Sequence, residues 1–501
     1  MTLAKRVVIV GGGISGLACA FYLQQMARDA KSTSFECTVL EADGRLGGKL
    51  FTYREDGFIL EGGPDSMLVR KPAGIGLVRS LGIEAELVPS GSGVARTYVV
   101  SRGKLALLPS GTNMGIPAHW DALWGNEVIS ARGKWRALRD LVLPPMREEG
   151  DVSVGAFLRR RLGDEWVDRL CEPLLAGIYA GRADSLSLEA TFPQFRRLER
   201  EYGSLMLGSA AERRRRAAQA RAQGPAAAAA VSATPGGRSA FVALRGGFST
   251  LVERLYDELH TWAKLYTKAR VESVHQTEDG RYCVAFTTPT GAQNLTADAV
   301  IIAAPAFVAA ELLKPWLDRA RYLADIPYVS TATVSLAYRS ENLPVLDASG
   351  FLAPRVEQRL MTASTWLSTK WPHTTPHGYA VLRCFVGRAG QEEGLDLDDA
   401  EMIRRIRQEL AELVGITAQP VFTRVTRWVK AMPQYGVGHL GRLQAVEQEL
   451  TEKLPGVFLT GAGYRGVGIP DCIAQAQTAV EQTLNYLHQH ASSSPHAYAN
   501  R

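Results

Sequence analysis

The sequence has no long apolar run. Its longest, Ala299 to Ala310, is 12 residues and is interrupted by Pro305, whereas a membrane-spanning helix needs about 20. This excludes an integral membrane protein. Cysteine is sparse and unpatterned: Cys19, Cys37, Cys171, Cys283, Cys384 and Cys472 contain no C-x-x-C, which predicts reduced, mostly buried thiols and excludes a disulfide frame. The nine histidines are scattered along the chain, and no metal is expected. Outside one segment the chain also lacks a charge excess. Residues 212–238 hold six arginines against Glu212, a local charge of +5 out of +6 for the whole chain, and the remainder is no nucleic-acid binder. Finally, Lys5-Arg6 leads straight into Val7-Val8-Ile9-Val10, with no room for a secretory leader. A cytoplasmic protein is expected.

What is present is enough chain, 501 residues with 46% hydrophobic content, for two or three domains. The most informative stretch is Val7-Val8-Ile9-Val10-Gly11-Gly12-Gly13-Ile14-Ser15-Gly16. Gly11 permits a tight turn, Gly13 lets the backbone approach a pyrophosphate, and Gly16 lets helix and strand pack closely. The diphosphate would sit on the helix N-terminus, where free N–H groups and the dipole favour anions. A second strand, Cys37–Leu40, ends in Glu41, an acid placed to hydrogen-bond both ribose hydroxyls. Glu41 lies 25 residues beyond Gly16, further than the usual ~20, because of the polar run 28–34. A dinucleotide with an unphosphorylated ribose is predicted.

Two further stretches read as α/β structure. Strands at Val271–Gln276 and Tyr282–Thr287 precede the buried run Ala299–Ala304, and a strand at Val457–Thr460 precedes a glycine loop and a terminal helix near 471–488. That loop contains a second G-x-G-x-x-G. Only one helix follows it, so it forms no second βαβ unit; it reads as a helix start aimed at the cofactor of the first loop. Residues 118–192 look helical and rich in arginine. Strands at Thr331–Tyr338 and Tyr379–Val386 and a helix over Leu397–Val414 are expected in the later region. The Ala/Arg-rich segment 212–238 reads as a solvated insertion whose first half could be a short helix ended by Gly224-Pro225.

Glu41-Ala42-Asp43-Gly44-Arg45-Leu46-Gly47-Gly48-Lys49 and Glu61-Gly62-Gly63-Pro64-Asp65-Ser66 resemble the extended fingerprint of amine-oxidase-like flavoproteins. Further runs make the resemblance more specific: Asp151–Glu165, Glu172–Gly181, Ser185–Leu188, Arg245-Gly246-Gly247-Phe248 and Met432–His439. With these, nearly the whole chain resembles the protoporphyrinogen/coproporphyrinogen oxidases, and more closely their soluble bacterial branch. The departure is segment 212–238, longer than the family usually carries.

The resemblance implies an α/β fold with a mixed α+β substrate region: a discontinuous Rossmann-like FAD-binding domain, a substrate-binding domain and an inserted helical domain. The implied boundaries are FAD-binding segments 1–55, 239–305 and 425–490; substrate-binding segments 56–98, 193–238 and 306–424; a helical domain 99–192; and a disordered tail 491–501. It implies non-covalent FAD held at Gly11, Gly12, Gly13, Ile14, Ser15, Gly16, Glu41, Ala42, Lys49, Gly63, Pro64, Asp65, Ser66, Val271, Trp428, Val467, Gly468, Ile469 and Pro470. Lys71 and Ile178 would meet the substrate, Lys71 through a propionate, and His439 would be a scaffold residue. The implied reaction is the six-electron oxidation of a porphyrinogen in haem synthesis, most readily coproporphyrinogen III; the alternatives are protoporphyrinogen IX and, behind it, the reaction of another amine-oxidase- or desaturase-type flavoenzyme. The flavin ring does the chemistry, so no catalytic side chain is named. O2 is the expected acceptor, because no second dinucleotide unit or cysteine pair is available. Peripheral membrane contact and haem-pathway enzyme partners are compatible with the resemblance.

Overall fold

Residue alternation along one strand explains the centre of the molecule. In β1 (Lys5–Val10), Val7 and Ile9 face one hydrophobic core while Val8 and Val10 face another. A strand buried on both faces needs such a continuous apolar run, as parallel sheets do. The computed structural model describes residues 4–29, 34–91, 96–147, 149–222 and 240–491. In it β1 is the middle of a five-stranded sheet with β2 (Phe35–Leu40), β3 (Ala263–Tyr266), β4 (Ala299–Ile302) and β5 (Val457–Leu459). The order is β3-β2-β1-β4-β5, with every pairing parallel. The chain thus returns to this sheet from three distant regions.

Helices α1 (Ile14–Asp29) and α2 (Ile469–Ala491) cover one face through Leu17, Leu23, Ile473 and Val480. The other face is covered by helix Ala306–Leu313 and by the antiparallel sheet of Arg270–Gln276, Tyr282–Thr288 and Gly291–Ala297. The second glycine loop therefore belongs to the first sheet. It follows β5 and leads into α2, and no separate nucleotide-binding unit forms around it.

A seven-stranded sheet makes up the later region. Phe422–Pro433 lies at one edge, followed inward by Tyr328–Arg339 and Tyr379–Val386. Helix Asp399–Val414 packs on it through Met402, Ile406 and Leu410. Its start is fixed by Asp398, whose carboxylate accepts from Glu401 N, a standard N-cap. Strands Tyr98–Ser101 and Lys104–Leu107 close the other edge.

The helical region has its own core around Phe157, Trp166, Leu170 and Phe192. Phe195, Leu198, Leu205 and Met206 join it, so the region continues beyond residue 192 through helices Pro193–Tyr202 and Leu205–Ala222. The first part of segment 212–238 is helical, as expected, and ends helix Leu205–Ala222. Glu212 is buried and accepts from Arg197 Nη2 at 2.5 Å, while Arg213, Arg214, Arg215 and Arg221 are exposed. Residues 223–239 and the tail 492–501 lie outside the described residues. Two of this region's arginines are held in ion-pair networks. Arg161 is fully buried, paired with Glu199 and Asp140, and Arg159 pairs with Asp168 and Asp184. Arg161 thus lies in the helical core, whereas Arg159 remains partly exposed. The six cysteines are unpaired, and five are buried. Among the described residues no helix is long and apolar enough to cross a membrane.

Candidate functional site

β1 ends at Val10 and α1 begins at Ile14, so three glycines make the turn. Gly11 has φ +106°, and a Cβ there would lie 2.9 Å from Ala303 O. A Cβ at Gly16 would be 1.9 Å from Gly11 O, so strand and helix touch with no room for a side chain. Gly13 is different: the only heavy atom near its Cβ position is Gly48 Cα, 3.9 Å away. This leaves an open face beside the first turn of α1, where unpaired N–H groups attract an anion. Ser15 is buried just inside that turn.

Glu41 closes β2 against this loop. Its Oε2 accepts from Gly12 N at 2.7 Å and its Oε1 from Asp43 N at 2.8 Å. Its own backbone binds the segment after β3, donating to Tyr266 O and accepting from Ala269 N. Ala42 and Val271 are thereby brought to one end of the sheet. The 42–50 loop folds back so that Gly47 N donates to Gly12 O at 2.8 Å. Arg45 pins this loop by donating to the carbonyls of Leu46, Gly48 and Leu50. Lys49 is left over. Burial lowers its pKa, and its ammonium forms no hydrogen bond or ion pair among the described residues.

The loop Gly62-Gly63-Pro64-Asp65-Ser66 is clamped from behind. Arg383, fully buried, donates to the carbonyls of Gly62 and Gly63. Trp428 Nε1 donates to Gly62 O at 2.7 Å. Lys370 Nζ lies 3.2 Å from Asp65 Oδ2, and Ser66 Oγ donates to Asp65 Oδ1. Burial alone would raise the Asp65 carboxyl, but Lys370 and Arg383 outweigh it and bring it to about 2. Glu61 meets the opposite balance: burial pushes it up to about 7, against hydrogen bonds from Phe248 N and the Thr52 hydroxyl.

The second glycine loop stands beside the first. Thr460 N donates to Ile302 O, and a Cβ at Gly461 would come 3.7 Å from Ser15 Oγ. Tyr435 fixes this loop, its hydroxyl donating to Ala462 O at 2.5 Å and accepting from Gly466 N at 2.9 Å. His439 stacks on Tyr435 with ring centroids 4.4 Å apart. Its Nε2 lies 2.6 Å from Tyr464 O, which can only accept, so that nitrogen carries the proton and Nδ1 accepts from the Tyr322 hydroxyl. Burial lowers the His439 pKa and keeps this neutral form. His439 is thus bound on both nitrogens within the scaffold. Val467 packs on the helical core, and Gly468, Ile469 and Pro470 lead into α2.

Sequence reasoning singled out neither Arg383 nor Lys370, nor did it give Tyr435 a role. Arg383 carried a usable signal, a single charge inside the apolar strand Tyr-Ala-Val-Leu-Arg-Cys-Phe-Val. Lys370 carried none, since its partner is 305 residues away.

Lys71 precedes helix Pro72–Ser80 and meets Asp471, with Nζ 2.6 Å from each carboxylate oxygen. Ile178 is exposed near the end of helix Glu172–Tyr179, whose last carbonyl is held by Gln434 Nε2.

The donor set fits a flavin dinucleotide. The open space over Gly13, the unpartnered ammonium of Lys49 and the buried, unpartnered hydroxyl of Thr460 all lie around the two glycine loops. A model of the flavin containing amine oxidoreductase family matches residues 14–484. The coproporphyrinogen III oxidase of Bacillus subtilis (strain 168) is 39% identical over 484 residues, covering 96% of this chain and 98% of that protein. The enzyme of the same name from Staphylococcus aureus (strain NCTC 8325 / PS 47) is 34% identical over 487 residues, covering 96% and 99%. The fold superposes on the crystal structure of an Exiguobacterium sp. 255-15 protein with TM-score 0.83 at 34% identity, over 98% of this chain and all of that one.

Proposed function

Because the chain belongs to the flavin-containing amine oxidoreductase family and is an FAD enzyme of that fold, we propose that it oxidises coproporphyrinogen III to coproporphyrin III, with O2 as the acceptor. The observation that carries this reading is the extent of the likeness: the match to the coproporphyrinogen III oxidases covers 96% of this chain, through its helical and substrate-side regions as well as its flavin loops. Bound FAD would supply a two-electron acceptor, so a six-electron oxidation takes three turns.

In this reading the chain's own residues take the following roles. Gly11, Gly12, Gly13, Ile14, Ser15 and Gly16 present the N-terminus of α1 to the diphosphate, and Glu41 offers its carboxylate to the ribose. Ala42, Lys49 and Val271 flank that end. Gly63, Pro64, Asp65 and Ser66 would hold the flavin, their loop being fixed by Arg383, Lys370 and Trp428. Val467, Gly468, Ile469 and Pro470 would hold it as well, after a loop fixed by Tyr435. The gain of aromaticity in the product favours the oxidation, so the protein's task is to bind, orient and exclude side reactions rather than to supply a strong base. Lys71 would receive a propionate, and Ile178 offers the macrocycle an apolar surface.

Substrate charge discriminates between the two porphyrinogens. Coproporphyrinogen III has four propionates and protoporphyrinogen IX two, and each sheltered charge-assisted contact contributes ~1.5–3 kcal/mol. The expected result is a kcat/KM at least about tenfold higher for coproporphyrinogen III, read from porphyrin fluorescence with both substrates side by side. A preference for protoporphyrinogen IX would overturn the substrate assignment, and no porphyrin from either would overturn the function.

A further inference from the structure

The ion pair between Lys71 and Asp471 joins two helix starts. Lys71 is the residue before Pro72, and Asp471 lies in the first turn of α2. The two starts are in contact, since a Cβ at Gly74 would lie 3.1 Å from Pro470. Asp471 fits in a notch left by two glycines: a Cβ at Gly466 would come 2.7 Å from its Cβ, and one at Gly468 would come 2.9 Å from its Oδ2. Both carboxylate oxygens point at the Lys71 ammonium, each at 2.6 Å. The pair is not sealed, with side chains 40% and 21% exposed. Its surroundings belong to the substrate side: Tyr179, next to Ile178, is close enough for the Asp471 charge to add to the effect of burial in raising its phenol.

A carboxylate held symmetrically on a half-exposed ammonium has the geometry that a propionate would adopt there. We propose that Asp471 is a specificity-determining residue, an internal competitor that occupies Lys71 until a substrate carboxylate displaces it. This rests on the porphyrinogen reading above. Its consequence is selective: only a ligand with a propionate at this corner repays the opened pair, so Asp471 penalises less acidic macrocycles more heavily. A purely structural role also exists for an acid at a helix start, where it stabilises the dipole, and the test must separate the two.

The test titrates FAD-loaded protein with coproporphyrin III, the tetra-acid product, and follows porphyrin fluorescence. Asp471→Asn and Asp471→Ser remove the charge while keeping an oxygen for the helix start. Each should tighten binding by at least about threefold, the scale of a partly exposed ion pair. In a Lys71→Met background the same substitutions should leave affinity unchanged. Unchanged or weaker binding in both variants, the same tightening without Lys71, or loss of folded protein in both would overturn the proposal. Wild-type protein that neither binds coproporphyrin III nor oxidises coproporphyrinogen III would defeat the functional reading itself. Wild-type activity with unresponsive Asp471 variants would defeat this inference alone.

Discussion

Replacing Gly13 separates cofactor binding from folding in a way that replacing its neighbours does not. The structure gives the contrast directly. A Cβ at Gly16 would lie 1.9 Å from Gly11 O, so any side chain there forces strand and helix apart, whereas at Gly13 the nearest atom is 3.9 Å away. Gly13→Val should therefore leave the FAD-free protein about as stable as the parent, with any gain from lost backbone freedom limited to about 1 kcal/mol. The new methyl groups would instead fill the space over the first turn of α1. Each charge-assisted hydrogen bond to the diphosphate lost in this way costs about 1.5–3 kcal/mol, which is roughly tenfold or more in affinity per bond. Two lost bonds should leave the purified protein colourless. The assay is flavin absorbance per protein after gel filtration, beside a thermal melt of the FAD-free forms. A yellow Gly13→Val protein would refute the assignment of this loop. A colourless one whose FAD-free form melts far below the parent would refute the claim that Gly13 is free of packing.

Other perturbations bear on the surrounding framework. Glu61 holds its proton to about pH 7 in the fold against an ordinary 4.5, so the folded state carries the extra proton between those values and stability falls as pH rises through that window, by at most roughly 3 kcal/mol. Glu61→Gln should thus be more stable than the parent at pH 8 but not at pH 4, and equal denaturant midpoints at pH 8 would contradict this. Tyr435→Phe leaves the buried Gly466 N–H without its acceptor, at a cost of about 1–3 kcal/mol, and should weaken FAD retention. Retention equal to the parent would show that Tyr435 does not order that loop. Arg161→Met strands Glu199 and Asp140 without their shared cation and should destabilise the protein by about 3–5 kcal/mol, measurable by urea denaturation. A loss under about 1 kcal/mol would refute that role.

The parts legible in the sequence are those with local causes. The apolar run of β1, the glycines after it and Glu41 at the end of β2 predicted a dinucleotide loop, because strand burial and close backbone approach each restrict residue type at fixed spacing. Strand β3 escaped notice, since Ala-Lys-Leu-Tyr is only four residues long and interrupted by a charge. The clamp on the Gly62–Ser66 loop was not legible for a different reason. Arg383, Lys370 and Trp428 reach it from more than 300 residues away, and nothing local encodes such a pairing. The arginine run at 159–161 was legible, but the burial of Arg161 within it was not. Arg161 is internal because Glu199 and Asp140 fold over it, and only three dimensions reveal the partners. Lys71 was read as a receptor for a substrate carboxylate, but its resident partner Asp471, 400 positions later, was not foreseen.

The central claim is a six-electron, oxygen-consuming oxidation of a porphyrinogen, and its electron count tests it most directly. In an oxygen electrode with excess coproporphyrinogen III, FAD-loaded protein should consume three O2 and release three H2O2 for each coproporphyrin III formed, as six hydrogens leave the macrocycle. Fluorescence gives the porphyrin and a peroxidase assay the peroxide. A ratio near one O2 per porphyrin, or no oxygen uptake until a quinone is added, would contradict the account.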